Sequence, residues 1–72
     1  MSYDEFVKLV DQTSVQFNWR YGQSLMNVLH GAAPDKYSEI MNLELDCYYN
    51  DDMVPATLKF LKYDWKPTHE TN

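Results

Sequence analysis

One cysteine, three prolines and two glycines are spread over 72 residues, and each scarcity closes a class of structure. The single thiol, Cys47, permits neither a disulfide framework within the chain nor a multi-cysteine zinc site. So little proline and glycine excludes collagen-like and linker composition. No apolar run exceeds three residues, whereas a membrane-spanning helix needs about 20. The segment Met1-Ser2-Tyr3-Asp4-Glu5 lacks the basic start and apolar stretch of a secretory leader. Cations are few as well: six against eleven carboxylates leave a net charge of −5. Phosphate-backbone binding draws chiefly on Lys and Arg, so direct contact with nucleic acid is not expected. Lys59, Lys62 and Lys66 fall at helical spacing near the C-terminus, an ordinary place for cations in a last helical turn. These absences predict a cytoplasmic, reducing setting, with Cys47 a small buried hydrophobe.

What is present is 44% hydrophobic and 15% aromatic residues. A chain this short buries roughly 60% of the surface it exposes when unfolded. That suffices for one core and one domain, read as residues 1–66 with a disordered tail at 67–72, and leaves no second lobe to form a substrate cleft.

Tyr3, Phe6, Val7 and Val10 recur at i, i+3, i+4, i+7 and predict a first helix from Ser2 to about Thr13. Ser2 followed by Glu5 has the form of a capping box. Thr13-Ser14-Val15 is a weak helix ending, and Phe17-Asn18-Trp19 reads as an irregular corner inserting two rings into the core. Leu25, Val28 and Leu29 stripe a second helix over 21–30, with Gly31 as its left-handed cap. Pro34 suits the first turn of a third helix, from Asp35 to about Asn42, burying Tyr37, Ile40 and Met41. Leu43-Glu44-Leu45-Asp46-Cys47 alternates with period two, but no second strand exists to pair with it, so it reads as an extended connector over the core. Asn50-Asp51-Asp52 marks a turn and an N-cap. Val54, Leu58, Leu61 and Trp65 stripe a last helix from Met53 to about Trp65, with Pro55 in its first turn. The fold class is all-α: a compact bundle of about four short helices with one extended connector.

Arg20, Gln23 and Asn27, at i, i+3, i+7, share a helix face distinct from the apolar stripe. Such donors can grip a carboxylate, a phosphate or a peptide edge. The structural alternative is preferred: Arg20 pairs with Asp46 or Asp51 of the acidic connector, and the amides satisfy loop carbonyls. Arg20, Gln23, Asn27 and Asp46 are thus expected to form a structural polar network. Glu44, Asp46, Asp51 and Asp52 suggest a cation loop, but Cys47-Tyr48-Tyr49 fills its middle and the turn glycine is missing, so no metal is expected. Cys47 with His30 or His69 lacks the fixed base and orienting group of a nucleophilic site. No phosphate loop, His-Glu-x-x-His or serine elbow is present. No catalytic residue and no cofactor is expected.

Eleven rings exceed what one small core needs. Tyr and Trp are enriched at binding hot spots, although a short chain also leans on large side chains to bury area. Tyr48, Tyr49, Tyr63 and Trp65, rimmed by Asp51 and Asp52, are the expected docking residues.

Arg20-Tyr21-Gly22-Gln23-Ser24-Leu25-Met26-Asn27-Val28-Leu29, then Pro34, then Asp46-Cys47-Tyr48-Tyr49-Asn50-Asp51-Asp52, resembles a pattern in small uncharacterised phage and bacterial proteins. Its form is R-x-G-Q-x-x-x-N-x-L, a proline, and D-x-(F/Y)-(F/Y)-x-D before a final amphipathic helix. The resemblance covers about Trp19 to Trp65, and Cys47 stands where the pattern has proline. It implies a phage or prophage setting, where small acidic proteins are often inhibitors of host or defence machinery. The expected function is a non-enzymatic protein-binding module, an inhibitor or modulator of a host or bacterial protein. The alternatives are a virion or assembly component acting as a homo-oligomer through the last helix, and an acidic DNA mimic.

Overall fold

The first helix starts where Ser2 and Glu5 place it. In a computed structural model, which describes residues 1–65, the Ser2 hydroxyl accepts from the Glu5 amide (3.1 Å) and the Glu5 carboxylate from the Ser2 amide (2.7 Å). This reciprocal bonding satisfies two amides that would otherwise lack partners. The helix, α1 (Tyr3–Phe17), runs beyond its expected end at Thr13. It stops at Asn18, whose φ of 56° lies in the left-handed region, while Trp19 N–H donates to Ser14 O at 3.1 Å. Asparagine tolerates that backbone better than most residues. The corner differs from expectation in its rings: Phe17 and Trp19 stack on each other at 4.8 Å, and Phe17 is 52% exposed.

The second helix, α2, spans Tyr21–Ala32, two residues past the expected end. Gly31 is not its cap; it lies inside the helix with no positive φ. Pro34 ends the helix instead, because its ring forces the preceding residue out of the helical region. Ala33 accordingly sits at φ −149°, ψ 75°, and alone separates α2 from α3 (Pro34–Asn42). A Cβ on Gly31 would meet nothing within 4 Å. Gly31→Ala is therefore expected to stabilise the fold by about 0.5–1 kcal/mol, read as a higher urea midpoint at unchanged slope.

The end of α3 breaks the extended connector. Leu45 N–H donates to Ile40 O (3.0 Å) and Glu44 N–H to Met41 O (3.3 Å), with Glu44 at φ 58°. This is a left-handed helix ending that usually recruits glycine, so the period-two pattern conceals a turn at Leu43-Glu44. A 3₁₀ turn over Asp51–Met53 then leads into α4 (Val54–Asp64), and Pro55 occupies its first turn as expected. The expected tail at 67–72 lies outside the described residues.

Helix α1 packs against α2, and α2 against α3. Phe6, Val10, Leu25, Met26, Leu29, Ile40, Cys47 and Leu61 form the fully buried centre. Met41, expected inside, is 44% exposed, while Met26 is buried. Thr57 of α4 shares its buried hydroxyl proton between Leu45 O (2.6 Å) and Met53 O (3.0 Å), fastening the connector to the last helix. Lys36 of α3 joins Asp64 at the end of α4 and Glu39 at 3.1 Å. Trp65 closes the bundle: its ring lies 4.9 Å from Phe6 and 6.2 Å from Tyr3, and its Nε1–H donates to Met1 O at 3.0 Å. Among the described residues there is no strand, and no helix is long and apolar enough to cross a membrane.

Candidate functional groove

The site is built on the first turn of α2. Arg20 occupies the N-cap position but supplies no side-chain cap, since a guanidinium has donors and no acceptor. The acceptor comes from 29 residues away: Asp51 Oδ1 takes the Gly22 N–H at 3.0 Å. Gly22 also lets the connector approach. A Cβ there would lie 2.0 Å from Cys47 O and 2.8 Å from Asp51 Oδ1. The Cys47 thiol faces Gly22 O at 3.7 Å. The connector is thus seated on α2, and the next residues, Tyr48 and Tyr49, stand beside its N-terminus.

Between this turn and the α1–α2 corner lies an open groove of about 360 Å³ lined by Asn18, Arg20, Gln23, Tyr48 and Tyr49. Gln23 Nε2 donates to the Tyr48 hydroxyl at 3.4 Å, and Asp46 Oδ1 accepts from Tyr48 N–H at 2.9 Å. Tyr48 packs edge-on to Tyr49 at 4.6 Å, yet Tyr49 remains 87% exposed.

The expected pairing of Arg20 with Asp46 or Asp51 does not form. Both carboxylates face backbone amides, and the ion pairs among the described residues are those of Lys36. Arg20 is exposed, and so is Asn27 on the following turns. The four polar residues therefore divide: Gln23 and Asp46 support Tyr48, whereas Arg20 is left at the groove.

Of the expected docking residues, Tyr48 and Tyr49 line the groove and Tyr63 is 90% exposed on α4. Asp52 is exposed, with its amide donating to Asn50 Oδ1 at 3.0 Å. Asp51 is engaged in capping α2, and Trp65 in packing on Phe6. Asn18 is the lining residue that sequence reasoning missed. Its position after α1, with asparagine's tolerance of left-handed backbone, was the available signal.

Burial pushes the Cys47 thiol above its ordinary value, with the Thr57 hydroxyl working in the opposite direction. A thiol held protonated is a poor nucleophile. His30 is occupied edge-on with Tyr37 at 4.7 Å. Among the described residues no three His, Cys, Asp or Glu side chains converge as metal ligands would.

Burial, then a hydrogen bond to the Asp11 carboxylate, push the Tyr21 phenol up to about 12. Burial, then the charge of Asp4, also raise Tyr3. Burial opposes the charge on Lys36, but Asp64 and Glu39 outweigh it and raise that ammonium too. Cys47, Tyr3, Tyr21 and Lys36 therefore hold their protons more tightly when folded than unfolded. The stability they lend is complete below their ordinary values of 9.0 to 10.5 and is lost as pH rises through the folded ones. The melting temperature is expected to fall between about pH 9 and 12, and Tyr21→Phe to blunt that fall. A flat profile to pH 11 would contradict this packing of Tyr21.

No family model, curated protein or solved structure matches the sequence.

Proposed function

We propose that this chain is a non-enzymatic protein-binding module whose partner docks along the groove between the α1–α2 corner and Tyr48-Tyr49. The observation that carries this reading is Tyr49, a large ring 87% exposed beside an open groove. Aromatic side chains of this kind supply much of the energy when a protein surface is covered. Their exposure leaves apolar area in contact with water, and a docked partner would remove it at about 25 cal/mol per Å². The protonated, buried state of Cys47 favours a binding role over nucleophilic chemistry. With the resemblance to small phage and bacterial proteins, the proposed partner is a host or bacterial protein and the proposed effect its inhibition or modulation.

A photo-crosslinking residue at position 49, activated in bacterial lysate, tests the proposal. The expected product is one discrete adduct that excess unlabelled chain competes away and that Tyr48→Ala diminishes. The same probe at position 63 reports the exposed face of α4. An adduct from 63 and none from 49 would move the docking surface, and an adduct of twice the chain's own mass would favour the homo-oligomeric assembly role. No competed adduct from either position would overturn the reading.

A further inference from the structure

We infer that the occupant of the groove is a peptide segment carrying one Asp or Glu among neutral residues, whose carboxylate is taken by the Arg20 guanidinium. The inference rests on the docking reading above and adds the chemistry of the partner. Arg20 is the cation among the five lining residues, and none of the other four carries a carboxylate. Asp46 and Asp51, which lie beside the lining residues in the fold, present oxygens to the amides of Tyr48 and Gly22. The remaining lining groups are the amides of Asn18 and Gln23 and the two phenols, all able to donate hydrogen bonds. A guanidinium fork recognises a carboxylate through two parallel bonds, with directionality that a lysine lacks.

The flanking rings matter to this pairing. Ion pairs in open solvent contribute little, but a peptide laid against Tyr48 and Tyr49 would itself exclude water from the exposed guanidinium, and the lower local dielectric would strengthen attraction. Its volume, about 360 Å³, stands at the small end of ligand clefts and suits a short stretch of chain. The net charge of −5 selects among anions. A nucleic-acid backbone carries a phosphate at every step and is repelled at long range, whereas a peptide with one carboxylate among neutral residues meets the local cation with little such penalty.

Random heptapeptides displayed on phage are the probe, selected against the immobilised chain. Enriched sequences are expected to share an Asp or Glu at one position. The best of them, synthesised with a fluorophore, is then measured by anisotropy against wild type, R20K and R20Q. R20Q is expected to bind about tenfold more weakly, the size of one charge-assisted hydrogen bond, with R20K between. Changing the peptide's acidic residue to its amide should cost wild type a similar factor and R20Q almost nothing. Because Arg20 holds no carboxylate among the described residues, R20Q should melt as wild type does; a lowered melting temperature would tie the guanidinium to the fold and overturn the inference. Enriched peptides without an acidic position, or with affinity indifferent to R20Q, would overturn the carboxylate assignment and leave the docking surface standing. Failure to enrich any peptide would overturn both.

Discussion

Gly22→Ala is expected to destabilise the fold by about 2–4 kcal/mol. In an exposed helix interior the same change is favourable by about 0.5–1 kcal/mol, and at Gly31 that gain is expected. At Gly22 the added methyl would lie 2.0 Å from Cys47 O, a backbone atom that no rotamer change moves aside. Either α2 or the connector must retreat. Retreat breaks the bond from Gly22 N–H to Asp51 and separates the Cys47 thiol from Gly22 O. Overpacking of this kind costs about 1–3 kcal/mol and sometimes more, and loss of the cap adds about 1. A domain of this length holds about 4–11 kcal/mol in all, and each kcal/mol moves the midpoint by roughly 4–8 °C. The melt should shift down by at least about 10 °C, against a small upward shift for Gly31→Ala in the same assay. Equal and small shifts for both would mean that the connector does not lie on α2 as described.

Phe6→Ala should be of similar severity for a different reason. Phe6 is fully buried, belongs to the central cluster and carries the Trp65 ring at 4.9 Å. Truncating a buried phenylalanine costs about 3–5 kcal/mol, through lost transfer energy and the cavity left behind. The cavity opens beside Trp65, where the tryptophan also donates to Met1 O. Two readouts should therefore change together: the urea midpoint falls and the Trp65 emission moves to the red as its ring is wetted. Phe6→Leu should recover much of the midpoint. A destabilised variant with unchanged tryptophan emission would show that Trp65 does not depend on Phe6 for its seat.

The legible parts of this fold are local. The capping box at Ser2 and Glu5, the helical stripes and the place of Pro34 in the first turn of α3 act over three or four residues, and sequence displays them directly. The all-α class follows from them. What sequence conceals is contact between distant segments. Gly22 reads as an ordinary residue of a helix until Cys47 O is seen against it. Gly31 has the look of a cap but is a passenger, since Pro34 had already decided where α2 ends. Charge alone predicts that Arg20 pairs with Asp46 or Asp51. Charge does not reveal that unpartnered backbone amides compete for the same oxygens, and Tyr48 N–H and Gly22 N–H occupy them. The groove inherits this concealment: its tyrosines and arginine stand out as residues, while their juxtaposition depends on how the connector returns across α2.

The bond between Trp65 and Met1 O brings the first and last described residues together at one pole. Helix α1, fifteen residues long, separates that pole from the Asn18 corner by about 22 Å. Polypeptide entering at Met1 and leaving after Trp65 shares a single doorway, the geometry that lets one domain be grafted into a surface loop of another. Spliced in this way into a carrier protein, the module would keep Asn18 and its tyrosine neighbours turned away from the splice.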